Sequence, residues 1–173
     1  KKISTEVEPK NITLEQVNWF LRVAELSTEL EKPELECRGL YDRAINVAEK
    51  FGSNQQRLNA YYGYAWKAHF WLEDIELVEQ NLVKSIDCIS DSESSTKWEK
   101  VVTLLNVYRG HIKITGFDGN VSIDEINETV LTKLKEIASD DTKPSNALLA
   151  ETHIEMLKLQ QMNSVSDTAP IFA

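Results

Sequence analysis

The sequence predicts an all-α fold in which antiparallel helix pairs stack side by side. Only six glycines and four prolines occur in 173 residues, so few turns are available and most of the chain must lie in long elements. Apolar residues recur at steps of three and four, the period of a helix. No segment shows the strict apolar and polar alternation of a half-buried strand. The length suits one domain with a sizeable core.

Start and stop signals define a first helical hairpin. A helix from about Leu14 to Glu31 follows Thr13, which forms a capping box with Gln16 three residues later. A second helix begins at Pro33, whose fixed φ suits a first helical position, and ends at Gly52.

The same signals predict three more helices in the middle of the chain. The third helix spans roughly Asn54 to Leu72, and Asp74 is predicted to cap the fourth. A polar break over residues 90–96 separates the fourth helix from the fifth, which ends at Gly116.

Two further helices complete the predicted fold. Ser122 and Glu125 make a second capping box at the start of the sixth. Residues 140–143 form a loop, and Pro144 opens a seventh helix that runs to about Met162. The predicted domain therefore covers residues 14–162, between a polar N-terminal linker (1–13) and a C-terminal tail (163–173).

The helices show a period. Predicted hairpins begin near Leu14, Asn54 and Thr96, about 40 residues apart. The first helix also carries two apolar stripes, one of Leu14, Val17, Leu21 and Ala24 and one of Trp19, Val23, Leu26 and Leu30. We expect both stripes to be buried, because stacked hairpins cover each other on two sides.

Composition narrows the class of partner. Acidic residues outnumber basic ones 28 to 19, for a formal charge of −9, and no lysine or arginine run occurs. This disfavours nucleic acid and anionic membrane surfaces as partners. No apolar run reaches the length of a membrane span. Two cysteines, Cys37 and Cys88, do not form a disulfide framework, so we expect the protein to lie in a reducing cytoplasm. Because the chain starts with Lys1, we also expect it to be a piece of a longer protein.

One motif resembles a known family. Tyr62 and Gly63, with Trp66 three residues after the glycine, resemble the core of the first helix of a tetratricopeptide repeat. Leu105 and Tyr108 repeat the spacing in the fifth helix without the glycine. The resemblance is to a degenerate long-helix variant, since the period here is longer than the family's. It implies a right-handed α-α superhelix of about three hairpins plus a C-terminal helix.

The resemblance also implies a function and a site. Proteins of this family bind a peptide or protein in a concave groove lined by the first helix of each pair. The matching groove positions in this sequence are Tyr64, Lys67, Asn106 and Arg109, and we expect Arg57 and Trp71 to extend the patch. We therefore expect a regulatory or scaffolding module that binds a protein partner and uses no cofactor. The alternative is a helical domain that oligomerises or packs against a neighbouring domain.

Other candidate sites are weak. Six aromatics lie between residues 61 and 71 and point all round the helix, so we expect most to be core, with Tyr64 or Trp71 reaching the groove. The segment from Asp118 to Asp124 fails the calcium-loop pattern at three defining positions. His69 and Glu73 are suitably spaced to share a metal, but no Glu-x-x-His pair occurs. A metal-dependent helical-bundle enzyme remains a remote alternative; we expect no enzymatic activity and no metal.

Overall fold

The computed structural model describes residues 12–161, except for the side chain of Gln161. Within this range every regular element is an α-helix and no strand occurs, which confirms the all-α prediction. The seven helices are α1 (Leu14–Glu29), α2 (Glu34–Phe51), α3 (Asn54–Phe70), α4 (Ile75–Ile89), α5 (Ser95–Thr115), α6 (Ile123–Ala138) and α7 (Pro144–Gln161). None of the helices in the described range has the length and apolar character needed to cross a bilayer. The predicted tail and the helix end at Met162 lie outside the described residues, as does most of the predicted linker.

The predicted boundaries hold to within a few residues. The capping box at Thr13 is present, with its hydroxyl accepting from the Gln16 N–H at 3.3 Å and the Gln16 side chain accepting from the Thr13 N–H at 2.9 Å. Pro33 occupies the N-cap position of α2 instead of its first turn. Helix α5 begins at Ser95, inside the segment predicted to be a polar break.

A further capping box, which was not predicted from the sequence, opens α3. The Ser53 hydroxyl accepts from the Gln56 N–H at 3.3 Å, and the Gln56 side chain accepts from the Ser53 N–H at 3.0 Å. It lies 40 residues after the box at Thr13. At Ser122 the hydroxyl accepts from the Glu125 N–H at 3.3 Å, which is one of the two hydrogen bonds of the capping box predicted for α6.

Helices α1, α3 and α5 share an ending. Glu31 and Glu73, just after α1 and α3, both have φ of 51°, and Gly116 at the end of α5 has φ of 69°. These left-handed residues are 42 and 43 positions apart. A left-handed residue closes many helices because it lets the following backbone N–H groups turn back to the last carbonyls. These spacings are close to the offset of about 40 residues between helix pairs that the sequence predicts.

The described residues 12–60 and 61–161 belong to two compact units, which divide between Ala60 and Tyr61. In the first unit, α1 packs against α2. The Gln56 amide, five residues beyond the end of α2, donates to the backbone carbonyl of Leu14 and, at 2.9 Å, to the side chain of Asn18. Because the chain returns to the start of α1 after α2, the two helices are antiparallel.

The two stripes of α1 differ in burial. From the first stripe, Val17 and Ala24 lie in the core at 2% and 0% exposure, whereas Leu14 at the start of the helix is 58% exposed. The second stripe was predicted to be buried, but its side chains are exposed: Trp19 61%, Val23 47%, Leu26 36% and Leu30 68%. Helix α2 covers only one side of α1, so the other apolar side faces outward.

In the second unit, α5 contacts α4, α6 and α7, and α6 contacts α7. At the start of α7, the side-chain amide oxygen of Asn146 accepts from the Ser95 N–H at 2.9 Å and from the Ser95 hydroxyl at 2.7 Å. At the far end, Lys113 Nζ donates to the Gln160 carbonyl at 3.3 Å. Helices α5 and α7 therefore run parallel, side by side, with α6 returning between them along the chain.

A buried carboxylate holds the loop between α5 and α6. Glu79 on α4 is 2% exposed and accepts from the Val121 N–H at 2.7 Å and from the Asn120 amide at 3.4 Å. Gly119 passes over the Tyr108 ring so closely that a Cβ there would lie 2.0 Å from the Tyr108 hydroxyl oxygen. The loop that resembles a calcium site in sequence thus folds around a protein carboxylate.

Candidate functional site

A row of aromatic side chains runs along one face of α3 in the second unit. Tyr62, Trp66 and Phe70 are four residues apart, so they form one ridge of the helix. The Tyr62 and Trp66 rings are stacked with centroids 5.8 Å apart and planes at 21°. The Trp66 and Phe70 rings are 4.8 Å apart and tilted by 55°. We call these three residues the aromatic ladder.

Helix α5 lies beside the ladder and supplies cations and imidazoles. Lys100 Nζ is 5.0 Å from the centroid of the Tyr62 ring, within range of a cation–π contact. Near the other end, His69 on α3 and His111 on α5 have ring centroids 6.2 Å apart. These two contacts show that the second part of α3 and α5 run in the same direction.

The ladder becomes more exposed toward the end of α3. Tyr62 and Trp66 are half-buried, while Phe70 is 62% exposed and the adjacent Trp71 37%. The His69 ring stands edge-on against Phe70 with centroids 4.4 Å apart. Partly exposed aromatic rings beside cations provide both apolar area and directional contacts, and such residues are enriched where proteins bind one another.

Two ionisable groups in this region have shifted pKa values. Burial, followed by the nearby Glu99 carboxylate, raises the pKa of Tyr62. Burial, followed by the proximity of His111, lowers the pKa of His69. At neutral pH both side chains are therefore uncharged, and the Lys100 ammonium faces a neutral phenol ring.

Two of the predicted groove residues are not on the surface. Tyr64 is only 2% exposed. Arg109 is 8% exposed, and it donates to the Asn127 side chain on α6 at 2.7 Å and to Asn106 at 3.3 Å. Burial lowers the pKa of Arg109, while Asp124 opposes the shift. Neither side chain is available to a partner in this conformation. Tyr64 is buried, and Arg109 faces α6 instead of the side next to α3.

The other predicted groove residues are more accessible. Lys67 and Asn106 are half-buried in the second unit, and Trp71 is exposed. Arg57 lies in the first unit, half-buried, and donates to the side chain of Asn54. The structure therefore brings Asn106 and Arg109 together but leaves Lys67 and Trp71 as the accessible members of the set near the ladder.

The exposure of the aromatic ladder was not predicted from the sequence. Of the six aromatics in this segment, Tyr61 and Tyr64 are buried at 6% and 2% exposure, and the others are partly or largely exposed. Tyr64 was one of the two aromatics expected to reach the groove, and it is buried. The other, Trp71, lies at the surface. The spacing of four between Tyr62, Trp66 and Phe70 was the signal that separates the ridge from the core.

Within the described part of the chain, His69 and Glu73 have no third metal-ligating side chain beside them. Among residues 12–161, no group of three or more histidine, cysteine, aspartate or glutamate side chains is placed to hold a metal ion. Cys37 is buried and Cys88 is half-buried, and the two do not form a disulfide with each other.

Comparisons with protein-family models, with curated protein sequences and with solved structures give no significant match to this chain.

Proposed function

We propose that this chain is a tetratricopeptide-like helical-repeat module that binds a protein or peptide partner through the aromatic ladder. The observation that carries the proposal is the half-exposed row of Tyr62, Trp66 and Phe70, which lies beside α5. A partner segment would place apolar side chains against the rings. Acidic groups of the partner would meet Lys67 and Lys100.

The repeat part of the proposal is supported by three features. The first is the common period of 42 and 43 residues between the left-handed helix ends. The second is the pair of capping boxes at Thr13 and Ser53. The third is the parallel placement of α5 and α7, and of α5 and the second part of α3, since first helices of successive repeats lie side by side in such folds.

The test is a selection of peptide ligands on the purified protein, followed by affinity measurements with variants. Phe70→Ser should weaken a selected peptide about tenfold, because a partly exposed aromatic contributes on the order of 1–2 kcal/mol when it becomes buried. Lys67→Glu should weaken peptides that contain acidic residues more than peptides that lack them.

Leu148→Ser is the matched control, because Leu148 is 65% exposed on α7 and makes none of the ladder contacts described above. It should leave peptide affinity unchanged. Equal losses for the Leu148 and Phe70 variants, or selected peptides insensitive to both Phe70→Ser and Lys67→Glu, would reject the ladder as the binding surface.

A second candidate function, self-association, is favoured by a separate observation: the exposed apolar stripe of α1. It uses a different surface and stands independently of the ladder.

A further inference from the structure

The exposed stripe of α1 has the spacing of a coiled-coil seam. Trp19, Val23, Leu26 and Leu30 are separated by steps of four, three and four, which is the alternation of the two apolar positions in a heptad. A helix that only packs into a globular core shows a wider stripe that includes a third position. In α1 the core-facing residues Val17 and Ala24 form a separate stripe on another side. The seam is therefore additional to what α1 needs for its own unit.

We propose that the seam (Trp19, Val23, Leu26 and Leu30) is a self-association surface, on which α1 of a second copy of this chain packs antiparallel. With the two-fold axis between Val23 and Leu26, Trp19 of each copy faces Leu30 of the other. All four seam residues of both copies then become buried. Such an isologous contact closes on itself and yields a dimer instead of a filament.

The charges along the edge of the seam favour this orientation. Arg22 and Glu29 lie at equivalent heptad positions on one side of the seam and are 3.2 Å apart within the same helix. In the antiparallel arrangement, Arg22 of one copy lies near Glu29 of the other, and the symmetry repeats the pair. In a parallel arrangement Arg22 would face Ser27, which is buried and uncharged. Edge charges of this kind set the orientation of paired helices.

The small apolar area of the seam predicts a weak dimer. From their exposed fractions, the seam side chains present roughly 400 Å² per copy, comparable to the largest apolar patch on a typical monomer. Two copies together would bury about 800–1,000 Å², which is below the standard size of stable complexes. We expect a dissociation constant on the order of tens of micromolar, so the dimer should appear only at high concentration.

Sedimentation equilibrium of the full chain over about 5 to 500 µM tests the proposal. The protein should pass from monomer to dimer across this range, and Val23→Glu with Leu30→Glu should raise the dissociation constant at least tenfold. Both residues are exposed, so circular dichroism should show an unchanged fold. Leu148→Glu is the matched control, since it introduces the same charge at a similarly exposed leucine on α7. Phe70→Ser should also leave the dimer intact, which separates this proposal from the ladder.

Charge reversal tests the antiparallel arrangement. Alone, R22E or E29R places like charges opposite each other twice per dimer, and each variant should dimerise about fivefold to tenfold more weakly. An equimolar mixture of R22E and E29R should recover wild-type affinity as a heterodimer, because every facing pair is then of opposite sign. Failure of the mixture to associate would overturn the proposal.

Other occupants of the seam give distinct results. A chain that stays monomeric at all concentrations overturns the proposal. If Trp19 in such a monomer is shielded from acrylamide, as judged against Trp19→Phe, a segment of the same chain covers the seam. If Trp19 is freely quenched, the seam is open for a different protein. A dimer that resists the Val23 and Leu30 substitutions also overturns the proposal.

Discussion

Gly119→Ala tests how tightly the loop between α5 and α6 is fitted against the core. A Cβ at position 119 would lie 2.0 Å from the Tyr108 hydroxyl oxygen, 3.3 Å from Tyr108 Cζ and 3.1 Å from a Glu79 carboxylate oxygen. The Tyr108 ring is fully buried and has little room to move away. We expect Gly119→Ala to lower the free energy of unfolding by about 2 kcal/mol, within the range for overpacking a core.

The Tyr108 hydroxyl is the main obstacle, so Tyr108→Phe should relieve the clash. Alone, Tyr108→Phe should leave stability unchanged or raise it by up to about 1 kcal/mol, because the hydroxyl is buried without a hydrogen-bond partner. Burial and the neighbouring Glu79 carboxylate raise the pKa of this phenol to about 12, so no charge is lost at neutral pH. With the hydroxyl removed, the nearest remaining atoms lie beyond 3 Å from the new methyl group. Gly119→Ala should then cost about 0.5 kcal/mol.

Guanidinium unfolding of the four proteins, followed by circular dichroism, gives the coupling energy. We expect the two substitutions to couple by about 1.5 kcal/mol, with unchanged denaturant slopes. Gly110→Ala on α5 is the control: a Cβ there meets nothing within 4 Å, so helix propensity should raise stability by up to about 1 kcal/mol. Additive effects of Gly119→Ala and Tyr108→Phe would refute the steric explanation.

Three other substitutions probe the second unit, each followed by chemical unfolding. Asn127→Leu leaves the buried Arg109 guanidinium without its closest acceptor and should cost about 2–3 kcal/mol; adding Arg109→Met should recover part of the loss. Burial lowers the pKa of His153 from its ordinary value of 6.5, with Glu99 opposing the shift, so its neutral form stabilises the fold above that pH. Stability should fall as the pH drops from 6.5 toward 5, and His153→Leu should reduce this loss; an unchanged pH profile would contradict the assignment. Glu73→Gly removes a side chain from a left-handed residue and should stabilise by about 0.5–1 kcal/mol, whereas a loss would mean that the carboxylate has a structural role.

The helices were predictable because their signals are local. The capping box at Thr13 and the cap at Asp74 each depend on residues within one turn, and both are present. The left-handed residues Glu31 and Glu73 were not predictable, because glutamate has no preference for that conformation. Their φ values follow from the turn between paired helices, which the local sequence does not encode.

The site was less predictable because a helical face does not reveal its neighbour. On α5, the sequence shows that Asn106 and Arg109 lie on one ridge but not whether that ridge meets α3, α6 or solvent. The structure shows that Arg109 bonds to α6. The prediction that the second apolar stripe of α1 is buried was wrong for the opposite reason. Its spacing showed an apolar face, and we expected a stacked hairpin to cover that face. Periodicity therefore identifies what a helix can bury but not which surface buries it.

Buried residues whose polar groups already have hydrogen-bond partners differ from the exposed residues of the candidate binding surface. Glu79 and Arg109 are buried and each has protein partners, so their strongest interactions are already made within the unit. Phe70 retains most of its apolar area in solvent, and burying it would still contribute on the order of 1–2 kcal/mol. Ile114 is even more exposed at 87%, yet single exposed apolar residues are normal on protein surfaces. What distinguishes Phe70 is its tilted ring contact with Trp66, because a ring already held in place loses less conformational entropy when a partner covers it.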